Sequence, residues 1–134
     1  MYHAIEKIAT TEAPAALAAY SQGIVTAAGQ ALIFVSGQLP IDPKTGKFVE
    51  GDIKTLAKQV IDNIEAILVA GGSSLQHVVR TEIFLTDLKR DFAHVNEEYG
   101  KRFAGATPPA RQTIQVADLP MGSPIEISCI AIRA

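Results

Sequence analysis

Residues 52–72 carry the pattern of one complete helix. Ile53, Leu56, Ala57, Val60, Ile61, Ile64, Ile67 and Leu68 recur at helical spacing, while Lys54, Lys58, Asp62 and Glu65 take the other side. Asp52 supplies an N-cap and Gly71-Gly72 a C-terminal stop. A helix with a single apolar stripe must lay it on another element. The runs on either side, ALIFVSG (31–37) and VVRTEIFLT (78–86), are β-rich. A capped amphipathic helix between strands restricts the fold to a helix layer on a sheet.

The rest of the chain fits that restriction. Phe92, Val95, Tyr99 and Phe103 mark the apolar face of a second helix, and Pro108-Pro109 stops anything helical after it. Strands are expected at 111–117 and 125–132, separated by a loop containing Pro and Gly. The weaker β stretch 24–27 can pair with 31–37 through a turn at 28–30, and turn residues fill the loop 40–51. The order of strands, helix, strand, helix, strands predicts an α+β two-layer sandwich forming one domain over residues 1–134. In the last strand Ile125, Ile127 and Cys129 point one way, and Ile130 and Ile132 the other, beside Glu126 and Ser128. Likewise Ile83 and Leu85 oppose Val78 and Phe84. Both sheet faces are therefore apolar, yet two helices cover only one. Self-association through the open face is the expected remedy.

Composition removes the usual reason to propose several functions. Only 19% of the 134 residues are charged, the net charge is −2, and no block of Lys or Arg marks a nucleic-acid footprint. A single Cys forms no internal disulfide, the N-terminus MYHAIEKIAT has no signal-peptide pattern, and no apolar stretch is long enough to cross a membrane. A soluble cytoplasmic protein is expected. No phosphate-cradling glycine motif is present, and His3, His77 and His94 stand apart without ligand spacing. No metal and no cofactor are expected. Cys129, in an apolar strand, reads as a buried inert thiol.

Three polar residues stand out. Arg111 opens a strand directly after Pro108-Pro109-Ala110, so its backbone is stiffened where it enters the sheet. A guanidinium on rigid backbone suits bidentate capture of a carboxylate, and an edge arginine in a surface salt bridge fits the same spacing. Glu126 lies inside an apolar strand, where a carboxylate is costly unless it is paired, solvated or working. Asn96 sits on the apolar side of the second helix, between Val95 and Tyr99, and reads as a structural side chain bonded to backbone.

Five stretches, APAALAAYSQG (13–23), FVSGQLPIDPKTG (34–46), DFAHVNEEYGKRF (91–103), PPARQTIQV (108–116) and IEISCIAIR (125–133), resemble the reactive-intermediate deaminase (Rid, or YjgF) family, collinearly over nearly the whole chain. The resemblance implies a chorismate-mutase-like fold with a mixed six-stranded sheet and two helices on one face. It also implies a homotrimer with ligand sites between subunits, and no cofactor. Its implied activity is hydrolysis of 2-aminoacrylate and the tautomeric 2-imino acids to 2-keto acids and ammonia. In this likeness Arg111 matches the arginine that binds the substrate carboxylate, and Glu126 the acid that orients or activates water. Tyr20, Ser36 and Asn96 match positions lining the same cleft. Thr113 stands at a substrate-side position where many members carry Cys. Ala18-Ala19 replaces a frequent Gly-Pro and leaves the loop before Tyr20 less constrained. Ser128 replaces a common second acid, and the loop 88–91 is one residue longer. A non-catalytic module binding small carboxylates or proteins in the same cleft is the alternative. Ribonuclease or translation-inhibitor activity is a third reading, disfavoured by the acidic balance.

Overall fold

The structure, a computed structural model, describes residues 5–105 and 107–133; His3 lies outside them. Two short strands come first, β1 (Ile5–Ile8) and β2 (Gly23–Thr26), followed by β3 (Leu32–Gln38) and the small hairpin of β4 (Ile41–Asp42) and β5 (Lys47–Phe48). Then come α1 (Ile53–Ala70), β6 (Val78–Leu85), α2 (Leu88–Phe103), β7 (Ala110–Gln115) and β8 (Ile125–Ile132). The main sheet has the order β3-β8-β6-β7 and is mixed: β8 runs antiparallel to both neighbours, while β6 and β7 are parallel.

Helix α1 begins where its cap predicts. The Asp52 carboxylate accepts the Thr55 backbone N–H at 2.9 Å, and this bond, first among its causes, lowers the Asp52 pKa. At the other end Gly71 N–H closes onto Ile67 and Leu68, and Gly72 takes φ +81°, a conformation that favours glycine. The buried stripe of α1 (Ala57, Val60, Ile61, Ile64, Leu68) packs on β3 and β8, while α2 adds Val95, Tyr99 and Phe103 over β6.

Tertiary pairing changes several expectations. Strand β2 pairs with β1, not with β3. The expected six-stranded sheet is instead a four-stranded sheet and a two-stranded ribbon, linked by the isolated parallel bridge Ser21–Ala110 beside β7. Val78 belongs to the core rather than the open face. A register shift between Val78 and Arg80 gives β6 one extra residue and turns Val78 inward with Ile83 and Leu85. Ile132 is also buried, at the end of β8 where Ser73 and Arg133 tie the turn after α1 to the strand. Residues 88–91 form the first turn of α2 rather than a loop, capped by Asp87. In that turn Asp91 is buried against the Arg90 guanidinium, whereas Phe92 is exposed.

The face away from the helices carries the expected apolar residues. Phe34 pairs with Ile130 and Phe84 with Ile114, and Phe34 is 71% exposed in a single chain.

Candidate active site

Arg111 enters β7 directly opposite Thr81 of β6, and its side chain lies on the helix-covered face. Its Nη1 donates to Asn96 Oδ1 of α2 at 2.8 Å. Asn96 therefore bonds a side chain rather than backbone. The guanidinium carbon lies 5.4 Å from the Tyr20 ring centre and 5.0 Å from that of Tyr99, both within cation–π range. Burial lowers the Arg111 pKa, and the two tyrosines oppose that shift. Among the described residues no carboxylate comes within salt-bridge distance of it. The surface salt bridge that the spacing allowed is absent there. A half-buried cation with no counter-charge among the described residues favours an anionic partner.

Both tyrosines beside Arg111 are themselves held. The Tyr99 hydroxyl shares a 2.8 Å hydrogen bond with Thr81 Oγ1, and its ring stacks on Phe103 at 4.3 Å. Burial pushes the Tyr99 hydroxyl up to about 12, so it stays a neutral phenol at ordinary pH. The Tyr20 hydroxyl accepts the Leu17 N–H at 3.3 Å, and Tyr20 N–H donates to Ala18 O at 2.8 Å. Ser21 joins this loop to the start of β7: its N–H donates to Pro109 O at 3.1 Å and its hydroxyl to Pro108 O. Gln22 clamps the preceding residues, accepting the Thr10 N–H at 2.7 Å and donating to Pro14 O at 2.7 Å. The loop with Ala18-Ala19 is thus constrained by side chains rather than by a proline.

Glu126 lies elsewhere. On β8 it pairs with Phe84 and so belongs to the open face, with β6 between its strand and β7. There it lies over Gly37. A Cβ on Gly37 would come within 2.6 Å of the Glu126 carboxyl carbon, so any larger residue there would displace this carboxylate from its position. Ser36 is exposed beside it, where β3 shifts register between Val35 and Gln38. Thr113 shares the Arg111 face, and its buried Oγ1 has no hydrogen-bond partner among the described residues.

Within one chain the anticipated residues therefore fall into two groups. Arg111, Asn96 and Tyr20 are together, with Thr113 on the same face; Glu126 and Ser36 stand on the other face toward the opposite edge. Tyr99, Thr81 and Gly37 were not singled out from sequence. The signal for Tyr99 was legible, since it follows Asn96 by three residues and so shares its helix face. That for Gly37 was not, because only the fold brings Glu126 over it. Cys129 is buried, and burial pushes its thiol up to about 12, in keeping with an inert cysteine. Among the described residues no cluster of three His, Cys, Asp or Glu side chains is placed to hold a metal ion, and no helix is long and apolar enough to cross a membrane.

Residues 10–133 match the family described as endoribonuclease L-PSP. The chain is 50% identical to the protein DfrA of Myxococcus xanthus, over 93% of each chain. It is 44% identical to the 2-iminobutanoate/2-iminopropanoate deaminase of Rattus norvegicus, over 94% of this chain and 88% of that one. Among solved structures, Escherichia coli TdcF with bound serine superposes with a TM-score of 0.72 at 39% identity, covering 96% of this chain and 99% of that one.

Proposed function

The chain belongs to the endoribonuclease L-PSP, or Rid, family, whose members include imine deaminases, and from that premise we propose that it hydrolyses small 2-imino acids and their enamine tautomers to 2-keto acids and ammonia. The observation that carries this reading is Arg111, a half-buried guanidinium surrounded by neutral groups and open to a carboxylate. A relative solved with serine, a small amino acid with the same carboxylate, supports that substrate size.

Arg111 fixes the carboxylate and so aligns C2 of the imine for attack. Water oxygen bonds to C2, and the π electrons of the C=N bond pass to nitrogen. Glu126 takes a proton from the water and delivers one to nitrogen. A second proton passes from the new hydroxyl through Glu126 to that nitrogen, and the hydroxyl oxygen's electrons form the C=O bond. The C–N bond breaks with its pair leaving on nitrogen as ammonia, which frees the keto acid. Ser36, Tyr20 and Thr113 line the cleft. With Arg111 and Glu126 on opposite faces, both reach one small ligand only where two copies meet. The Arg111 edge of one copy facing the partner subunit's Glu126 is a heterologous contact, of the kind that can close into a ring, and the family likeness supports a ring of three. The family description also names an endoribonuclease, but a chain of net charge −2 with no Lys or Arg block gives little attraction for a phosphate backbone.

The test is to generate 2-aminoacrylate in situ with a dehydratase and follow keto-acid release with and without the protein. Faster release is expected; an unchanged rate would favour the non-catalytic binding module.

A further inference from the structure

Among the described residues of one chain every group holding Arg111 is uncharged, and we propose that Asn96 is a positioning residue whose neutrality keeps the full charge of the guanidinium available to the substrate. The proposal rests on Arg111 as the carboxylate clamp and assigns Asn96 a role through Arg111 rather than on the ligand.

Arginines that are partly buried usually have a carboxylate beside them, because the charge is costly to desolvate alone. Arg111 instead makes one hydrogen bond among the described residues, to the amide oxygen of Asn96 at 2.8 Å. Its other close neighbours are the π faces of Tyr20 and Tyr99, and burial keeps Tyr99 a phenol against the opposing effect of its bond to Thr81. Carboxylates are not scarce here. Glu97 and Glu98 follow Asn96 directly, but they pair with Lys54 at 2.8 Å and Lys101 at 3.3 Å. The one acceptor that reaches Arg111 from this acidic turn is the neutral one. Asn96 thus orients the fork while spending one of its five N–H donors and none of its charge.

Asp is nearly isosteric with Asn and accepts the same hydrogen bond. Asn96→Asp should therefore keep the geometry, strengthen the bond to Arg111 and leave no net charge for a ligand. The fold gains what the site loses.

The experiment compares binding of pyruvate and of its neutral analogue pyruvamide, with melting temperatures, in the full-length wild type, Asn96→Asp, Asn96→Ala and Arg111→Ala. Wild type should prefer pyruvate by at least about tenfold, the scale of one charge-assisted contact. Asn96→Asp should melt at or above wild type, lose most of that preference and bind pyruvamide nearly as before. Asn96→Ala should bind pyruvate more weakly yet keep the preference for the anion. A merely structural asparagine would leave Asn96→Asp binding like wild type. That result, a lower melting temperature for Asn96→Asp, or loss of the anion preference in Asn96→Ala would overturn the proposal alone. If wild type shows no preference, or Arg111→Ala retains it, Arg111 is not the clamp and both readings fall.

Discussion

A guanidinium that bonds an amide and faces two aromatic rings is oriented on several sides, and this orientation explains why charge alone should not replace it. Arg111→Lys keeps the charge but loses the fork and the planar group that lies against Tyr20 and Tyr99. Binding of pyruvate should weaken by at least about tenfold in Arg111→Lys and further in Arg111→Ala, with native melting in both. Isothermal titration beside thermal melts checks this, and near-normal affinity in Arg111→Ala would remove the residue from the site. Glu126 is tested differently, because its proposed work is on water and not on the carboxylate. Glu126→Gln should still bind pyruvate while turnover falls by about 10²–10⁴-fold. Unchanged turnover would reduce Glu126 to a filler over Gly37.

Strand β8 and helix α2 each bury one group that resists ionisation. Cys129 rises from its ordinary 9.0 to about 12 and Tyr99 from 10.0 to about 12, both mainly through burial. The sign follows from the neutral form being the folded one. Their contribution to stability is complete below pH 9.0, where the unfolded thiol is still protonated, and is lost as pH rises toward 12. Each group then lowers stability by at most about 1.4 kcal/mol per pH unit. Urea midpoints measured from pH 7 to 11 should therefore decline from about pH 9, where an unfolded thiol titrates. In Cys129→Ala the decline should start about one unit later, where only the Tyr99 phenol contributes. Parallel profiles would show that the thiol is not protected by β8 packing.

The whole molecule presents an open sheet face that one chain does not cover. Phe34 and Leu32 are 71% and 46% exposed, and Ile114 lies on the same face further along the sheet. Such a surface is unusual for a monomer. A trimer that covers this face and joins the Arg111 edge of one copy to the Glu126 region of the next would satisfy both the surface and the chemistry. Light scattering at micromolar concentration should give three times the chain mass. A monomer mass would overturn the inter-copy site, since Arg111 and Glu126 would then remain on opposite faces of one sheet.

What the sequence determined by itself was local. The span and caps of α1 and the β runs 78–86 and 125–132 depend on periodicity and end chemistry carried by neighbouring residues, and they appear as expected except that the first run ends one residue sooner, at Leu85. The apolar open face was legible for the same reason, because alternation along one strand assigns its sides. Arg111, Glu126 and their companions were singled out by residue type and family likeness. What only the tertiary structure decided was which elements meet. Pairing of β2 with β1, the extra residue that turns Val78 inward, and the placing of Arg111 against Asn96 and Tyr99 all join residues distant in sequence. Local patterns hold no information on such partners, since a strand's hydrogen bonds are equally satisfied by any edge of matching direction. Burial of the common core selects the partner, and with it the division of the candidate residues between two faces of the sheet.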